Sequence, residues 1–306
     1  MSDVRSYFES EHHREEFRKH LARRTVPVKF AFAGSGALTY EALANSDGYQ
    51  EVVGELDFEL DALFGQTGLG QGSADQVCEV GPGNGLHTAA LLAALTARGL
   101  APSRYLCLDF SQDLLTIVNR PLAKFPMEFR SDVWDFESGA TGSIARWRRK
   151  DEPVLGLMLG HTIGNPVDPL SVLRNMRDSL NPGDLILISV ALLPERADEA
   201  RILSPYRNET FTNAAIEPLR AAGIPSELIR FDLCLRDVDV IGDAIITGNV
   251  TAMGIDIAAG ERIRCFKSRR FRGAEFGRLV EAAGWTVTRQ AQDGTAEHGA
   301  ILASAA

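Results

Sequence analysis

Apolar positions along this chain gather into short runs, and amphipathic stretches separate them through the middle of the sequence. DQVCEVG (75–81) is an apolar run bounded by turn residues and predicts a buried strand. LHTAALLAALTARG predicts a helix of small apolar residues closed by glycine. RYLCLDF (104–110) predicts the next strand, and SQDLLTIVN a helix capped by Ser111. MEFRSDV (127–133) and PVLGLMLG (153–160) predict a third and a fourth strand. DPLSVLRNMRDSL (168–180) predicts a helix with Asp168 as cap, Pro169 in its first turn, and Leu170, Leu173, Met176 and Leu180 near one face. NPGD then turns the chain into LILISVALL, a fifth strand. Strands separated by helices indicate a doubly wound, mostly parallel α/β sheet, with every strand's C-terminal end on one rim.

Two regions break this rhythm. Residues 1–70 precede the first core strand and open on a polar, amphipathic helical stretch. Residues 193–260 carry helical segments, ERADEARIL and NAAIEPLRAAG, and then a long β-like run. In that run Phe231, Leu233 and Leu235 alternate in one phase and Val238 and Val240 in the other, so a turn or bulge is expected near Arg236–Asp237. ERIRCFKSR resumes a sheet pattern, GAEFGRLVEAAG predicts a helix, and WTVTRQ with GAILAS predicts an edge hairpin. The expected organisation is an N-terminal segment (1–70) contributing to a cap, a core (71–192), an inserted substrate cap (193–260), and the end of the core (261–306).

Composition narrows the picture. The 306 residues are 45% hydrophobic with a net charge of −9, which argues against nucleic acid as a partner. KSRRFR (267–272) reads as a charged strand end on the surface. The four cysteines are widely spaced in apolar stretches and read as buried reduced thiols of a cytoplasmic protein. No apolar run is long enough to span a bilayer, so no membrane role is expected. No metal-ligand spacing appears, and His12, His13 and His20 read as surface residues. A monomer or homodimer acting on a small molecule is expected.

The chemistry concentrates after the first strand, where Gly81, Gly83 and Gly85 crowd together behind Glu79. Glycine lets backbone approach a ligand, and the following helix N-terminus offers free N–H groups. The spacing is not the G-x-G-x-x-G of a dinucleotide site, and the P-loop Gly-Lys-Ser/Thr is absent. No G-x-S-x-G elbow is present. The E-x-G-x-G-x-G pattern, with Asp109 closing the second strand, resembles motifs I and II of class I S-adenosylmethionine (SAM) dependent methyltransferases. That resemblance implies a methionine-binding glycine turn, ribose hydrogen bonds at Asp109, and an adenine contact near SDVWDF (131–136). Asp132 and Asp135 then read as cofactor contact or loop capping rather than as an acid/base pair.

A closer resemblance runs along most of the chain. LMLGHTIGNPVDPLSVLRNMRDSLNPGDLILISVALL, VPVKFAFAGSGALTYEAL (26–43), GYQEVVGE (48–55) and FKSRRFRGAEFGRLVEAAGW are similar to blocks of the histidine Nα-methyltransferases of ergothioneine biosynthesis. The implied cofactor set is Glu79, Gly81, Gly83, Gly85, His87, Thr88, Asp109, Phe110, Ser111, Asp135, Phe136 and Gly160. The resemblance makes Asn165, of TIGN, the holder of the substrate's amino-acid head. Tyr206 falls near a carboxylate-binding tyrosine, and Tyr49 stands for a tyrosine that closes the pocket. Ser268 matches a serine that grips the imidazole together with a glutamate two residues earlier. That glutamate position is Phe266 here, which cannot accept a hydrogen bond from an imidazole. A different amino acid or amino-acid-like amine is therefore expected. His161 replaces the family's serine, and Ala191 replaces an acid.

The expected activity is in-line methyl transfer from SAM to an amino-acid nitrogen in natural-product metabolism, releasing S-adenosylhomocysteine (SAH), with no metal. His161 and Asn165 are the candidate catalytic residues. His161 reads either as the acceptor of the amine proton or as a structural histidine bonded to backbone. The alternatives are transfer to oxygen, carbon or a guanidino nitrogen, and a SAM-binding module without turnover.

Overall fold

The computed structural model describes residues 7–46, 52–65, 69, 74–150 and 152–305. These fall into two compact units, one drawn from 1–51, 165–167 and 196–269, the other from 52–164, 168–195 and 270–306. In chain order the strands are β1 (Gln76–Val80), β2 (Arg104–Asp109), β3 (Glu128–Val133), β4 (Val154–Met158), β5 (Leu185–Ala191), β6 (Ile229–Arg236), β7 (Asp239–Ile246), β8 (Val250–Ala252), β9 (Ile255–Ile257), β10 (Arg262–Arg269), β11 (Trp285–Gln292) and β12 (His298–Ala305).

The second unit is built on a seven-stranded sheet of order β11-β12-β5-β4-β1-β2-β3. The strands from β3 to β5 are parallel, and β12 runs antiparallel to both its neighbours. This is the expected doubly wound α/β fold. Alternation sorts the side chains to two cores. Cys78, Val80, Leu106 and Leu108 face the side covered by helices Pro169–Asp178 and Gly273–Ala282. Val77, Tyr105 and Cys107 face the side covered by Asp57–Phe64, Leu86–Ala97 and Gln112–Leu122. Ser111 and Asp168 cap their helices as expected, accepting from Leu114 N and from Leu170 and Ser171 N. The expected edge hairpin is present, β11 pairing with β12 at one edge of the sheet, and of the two strands β12 is the inner one. The reason is its near-continuous burial, against the alternation of β11.

A buried ion pair fixes the end of this sheet away from the glycine turn. Asp184 accepts from both terminal guanidinium nitrogens of Arg148 at 2.6 and 3.0 Å, from Val154 N at 2.9 Å and from Asn181 N at 2.7 Å. It ties the start of β4 to the turn before β5.

The first unit carries an antiparallel sheet of order β10-β7-β6. The expected phase slip is a hairpin turn, with Asp237 at φ 55° between paired Arg236 and Asp239. Helix Glu209–Ala221 begins earlier than the apolar pattern suggested, because Asn208 caps it. The segment read as helical over 195–203 is helical only over Glu199–Leu203, beginning after the Asp198 cap. Ser35 Oγ donates to Glu217 at 2.7 Å, joining helix Ser35–Ala44 to Glu209–Ala221. β10 pairs with β7, so 262–269 belong to this unit and not to the end of the core. Likewise the core unit begins near residue 52 rather than 71, because helix Asp57–Phe64 packs on β11 and β12. Cys78, Cys107 and Cys265 are free and buried as expected, whereas Cys234 is only half-buried, on the outer strand β6.

Removing the Asp184 carboxylate leaves Arg148 as an uncompensated buried charge. Asp184→Ala should therefore lower unfolding stability by about 3–5 kcal/mol in urea denaturation.

Candidate functional site

The chain leaves β1 through Gly81, Gly83 and Gly85, at φ 65°, 60° and 76°, all in the left-handed region that favours glycine. Gly81 N donates to Leu108 O at 2.9 Å, tying the turn to β2. A Cβ on Gly81 would lie 2.8 Å from Thr162 Cγ2, and one on Gly85 2.6 Å from Val118 Cγ2. Thr162, in the short 3-10 turn Thr162–Gly164 after β4, donates to Leu159 O at 2.8 Å and to Gly81 O at 3.2 Å. The turn is thus closed on two sides by neighbouring strand ends.

Beneath it lies a buried polar network. Glu79 is 1% exposed, and one carboxylate oxygen accepts from Thr88 Oγ1 at 2.8 Å and from Tyr105 OH. Burial pushes the Glu79 carboxyl up to about 7, against the opposing effect of these two donors. His87 Nε2 sits 2.6 Å from Glu59 Oε2, and Glu59 is fully buried with its other oxygen lacking a hydrogen-bond partner. Burial pulls His87 down, but the Glu59 hydrogen bond and charge outweigh it, and the net shift is upward.

The remaining residues of this unit line the same rim. Asp109 ends β2, is 5% exposed, and accepts from Ser111 N at 2.9 Å. Phe110 and Ser111 are buried behind it. Asp135 accepts from Glu137 N at 3.1 Å and shapes its own turn. Phe136 packs on the core, edge-on to Trp134. Asp132 accepts from Ser143 Oγ, so it caps a loop and does not pair with Asp135. Gly160 N donates to Ser189 Oγ at 3.0 Å. His161 is 3% exposed with φ 69°, and its Nδ1 accepts from Ala191 N at 2.8 Å. Because Nδ1 accepts, Nε2 carries the hydrogen, and burial, with Arg270 and His298 nearby, pushes the imidazole down to about 3. His161 is therefore a neutral imidazole bonded to backbone.

A profile of the family described as histidine-specific, SAM-dependent methyltransferase matches residues 13–215, more than half of the chain. The chain belongs to that family. Among solved structures it is similar to a SAM-dependent methyltransferase from Clostridium acetobutylicum ATCC 824, at 11% identity over 88% of this chain and 96% of that one, TM-score 0.44. It is also similar to CalS10, an amino pentose methyltransferase of Micromonospora echinaspora involved in calicheamicin biosynthesis, at 13% identity over 87% and 96%, TM-score 0.42. No curated protein matches it.

In the first unit of this methyltransferase, Tyr206 and Phe266 meet with ring centroids 5.7 Å apart. Phe211 lies between them and Phe231, 5.1 Å from Tyr206, 4.7 Å from Phe266 and 6.1 Å from Phe231. Gly242 makes room for this cluster, since a Cβ there would lie 2.5 Å from Phe231 Cζ and 2.9 Å from Phe266 Cβ. The Tyr206 hydroxyl is buried with no hydrogen-bond partner. Ser268 is buried two residues along β10 on the Phe266 face. Asn165 is half-buried. Tyr49 lies outside the described residues. Among the described residues no group of three or more His, Cys, Asp or Glu comes together to hold a metal, and no helix is long and apolar enough to cross a membrane.

Sequence reasoning missed Thr162, Tyr105, Glu59, Arg270 and His298. Glu59 carried one signal: it falls between Phe58 and Ala62 on the buried face of its helix.

A carboxyl raised by burial binds its proton more tightly folded than unfolded. Its contribution is fully present below the ordinary carboxyl value of 4.5 and is lost as pH rises towards about 7. Stability measured by urea titration should fall over that window, and Glu79→Gln should flatten the fall.

Proposed function

We propose that this chain transfers a methyl group from SAM to the nitrogen of an amino acid, or of an amine derived from one, other than histidine. The observation that carries the reading is the left-handed glycine turn after β1, with Asp109 closing β2 beside it. The residues present fit the cofactor, because the turn carries no side chain at Gly81, Gly83 or Gly85 that would keep a ligand from its backbone, and Asp109 stands at the neighbouring strand end. In this reading Gly81, Gly83 and Gly85 lie against the methionine part, and Asp109 accepts from the ribose hydroxyls. Phe110, Ser111, Asp135 and Phe136 border the adenine, and Glu79, His87, Thr88 and Gly160 support the turn and its rim. When bound, SAM supplies an electrophilic methyl on a sulfonium that leaves as the neutral thioether of SAH.

The first unit supplies the acceptor-binding residues. Asn165 and Tyr206 hold the amino-acid head, Tyr206 with a buried hydroxyl that has no protein partner. Phe266 and Phe211 supply an apolar aromatic wall where an imidazole would need an acceptor. Ser268 belongs to the same proposed pocket. Catalysis rests on alignment in a dry site, an effect that supplies about 7–11 kcal/mol at best. His161 donates and does not take the amine's proton.

Asp109→Ala should weaken SAH binding by about 10–100-fold in calorimetry, the range for hydrogen bonds to a charged group. An amino-acid panel read by mass spectrometry should show apolar or aromatic amino acids gaining methyl on nitrogen. Preferred turnover of histidine, or methyl found on oxygen or carbon, would overturn the substrate reading.

A further inference from the structure

Three cationic or cation-capable side chains converge on the end of β5. His161 Nδ1 accepts from Ala191 N at 2.8 Å. His298 pairs across the ladder with Ala191, at the start of β12. Arg270 donates from one terminal nitrogen to Leu192 O at 3.2 Å. These residues are 3%, 7% and 5% exposed. Each keeps a buried nitrogen without a hydrogen-bond partner: His161 Nε2, His298 Nε2 and Arg270 Nε. No carboxylate pairs with Arg270 among the described residues, and its strand-end neighbour is Ala191, which offers no acceptor beyond its backbone.

A guanidinium is always charged, and burying one without an anion is costly. Its planar fork matches a carboxylate. His161 adds an N–H whose tautomer is fixed by the Ala191 bond, on a backbone held at φ 69°. Such non-glycine strain persists where surrounding structure enforces it, and it clusters at ligand sites. His298 is held by Asp293, whose Oδ2 lies 3.0 Å from Nδ1. The whole group sits at the C-terminal rim of β4 and β5, where open α/β sheets bind ligands.

We infer that Arg270 and His161 Nε2–H form a preformed site for one carboxylate, with His298 as its third wall.

The probe is sodium acetate against sodium chloride at equal ionic strength, on the full chain labelled with 15N. Acetate should move the His161 Nε2–H resonance downfield to saturation, and chloride should not. Arg270→Gln should weaken that saturation about tenfold or more, and Arg270→Lys by less, since it keeps the charge and loses the fork. An unmoved resonance, or equal titration of parent and both variants, would mean water alone satisfies these groups and would overturn the site. SAH calorimetry on the same samples confirms the fold and separates the failures. If SAH binds and acetate does not, the inference alone falls; if acetate binds and SAH does not, the methyltransferase reading falls.

Discussion

The left-handed bend after β1 is the constraint on which the rest of the site depends. Gly81, Gly83 and Gly85 all take positive φ, a path that residues with a Cβ follow only at a cost. The bend is also locked from outside. Gly81 N is held by Leu108 O on β2, and Gly81 O accepts from Thr162 beyond β4. Three adjacent strands of the parallel sheet therefore fix one turn, and a parallel sheet is what brings their C-terminal ends to the same rim. The helix that follows starts in line with the bend, its first free N–H groups facing that rim.

Burial sets the chemistry of Glu79 and His161 more than charge pairing does. Glu79 shares one oxygen between Thr88 and Tyr105, and desolvation still holds its proton to about 7. The acid of the E-x-G-x-G-x-G pattern is thus a support beneath the turn, bonded to the neighbouring strand β2 and to the helix that follows the turn. Desolvation acts on His161 in the opposite sense, because for an imidazole the charged form is the protonated one. The same physical effect yields an acid that keeps its proton and a histidine that declines a second one. Phe266, where the family resemblance implies a glutamate, sits within an aromatic cluster with Tyr206 and Phe211.

The core was legible because its strands are short apolar runs and its helices announce their caps. Ser111 and Asp168 do in the structure what their positions implied. What escaped was set by tertiary context. In β10 a bulge between Arg264 and Phe266 shifts the alternation, so Ile263 and Cys265 are inward before it, and Ser268 and then Arg270 after it. KSRRFR therefore looked like a uniformly exposed basic patch, while one of its arginines is buried. The role of His161 was equally hidden, since one backbone N–H from Ala191 decides which nitrogen carries hydrogen.

The most direct test is SAH calorimetry on Gly81→Ala beside a thermal melt of the same sample. At φ 65° and 2.8 Å from Thr162 Cγ2, the added methyl should displace the turn and abolish measurable SAH binding while the sheet still unfolds cooperatively. Unchanged SAH affinity in a folded Gly81→Ala protein would contradict the account, because the bend would then not be what holds the cofactor.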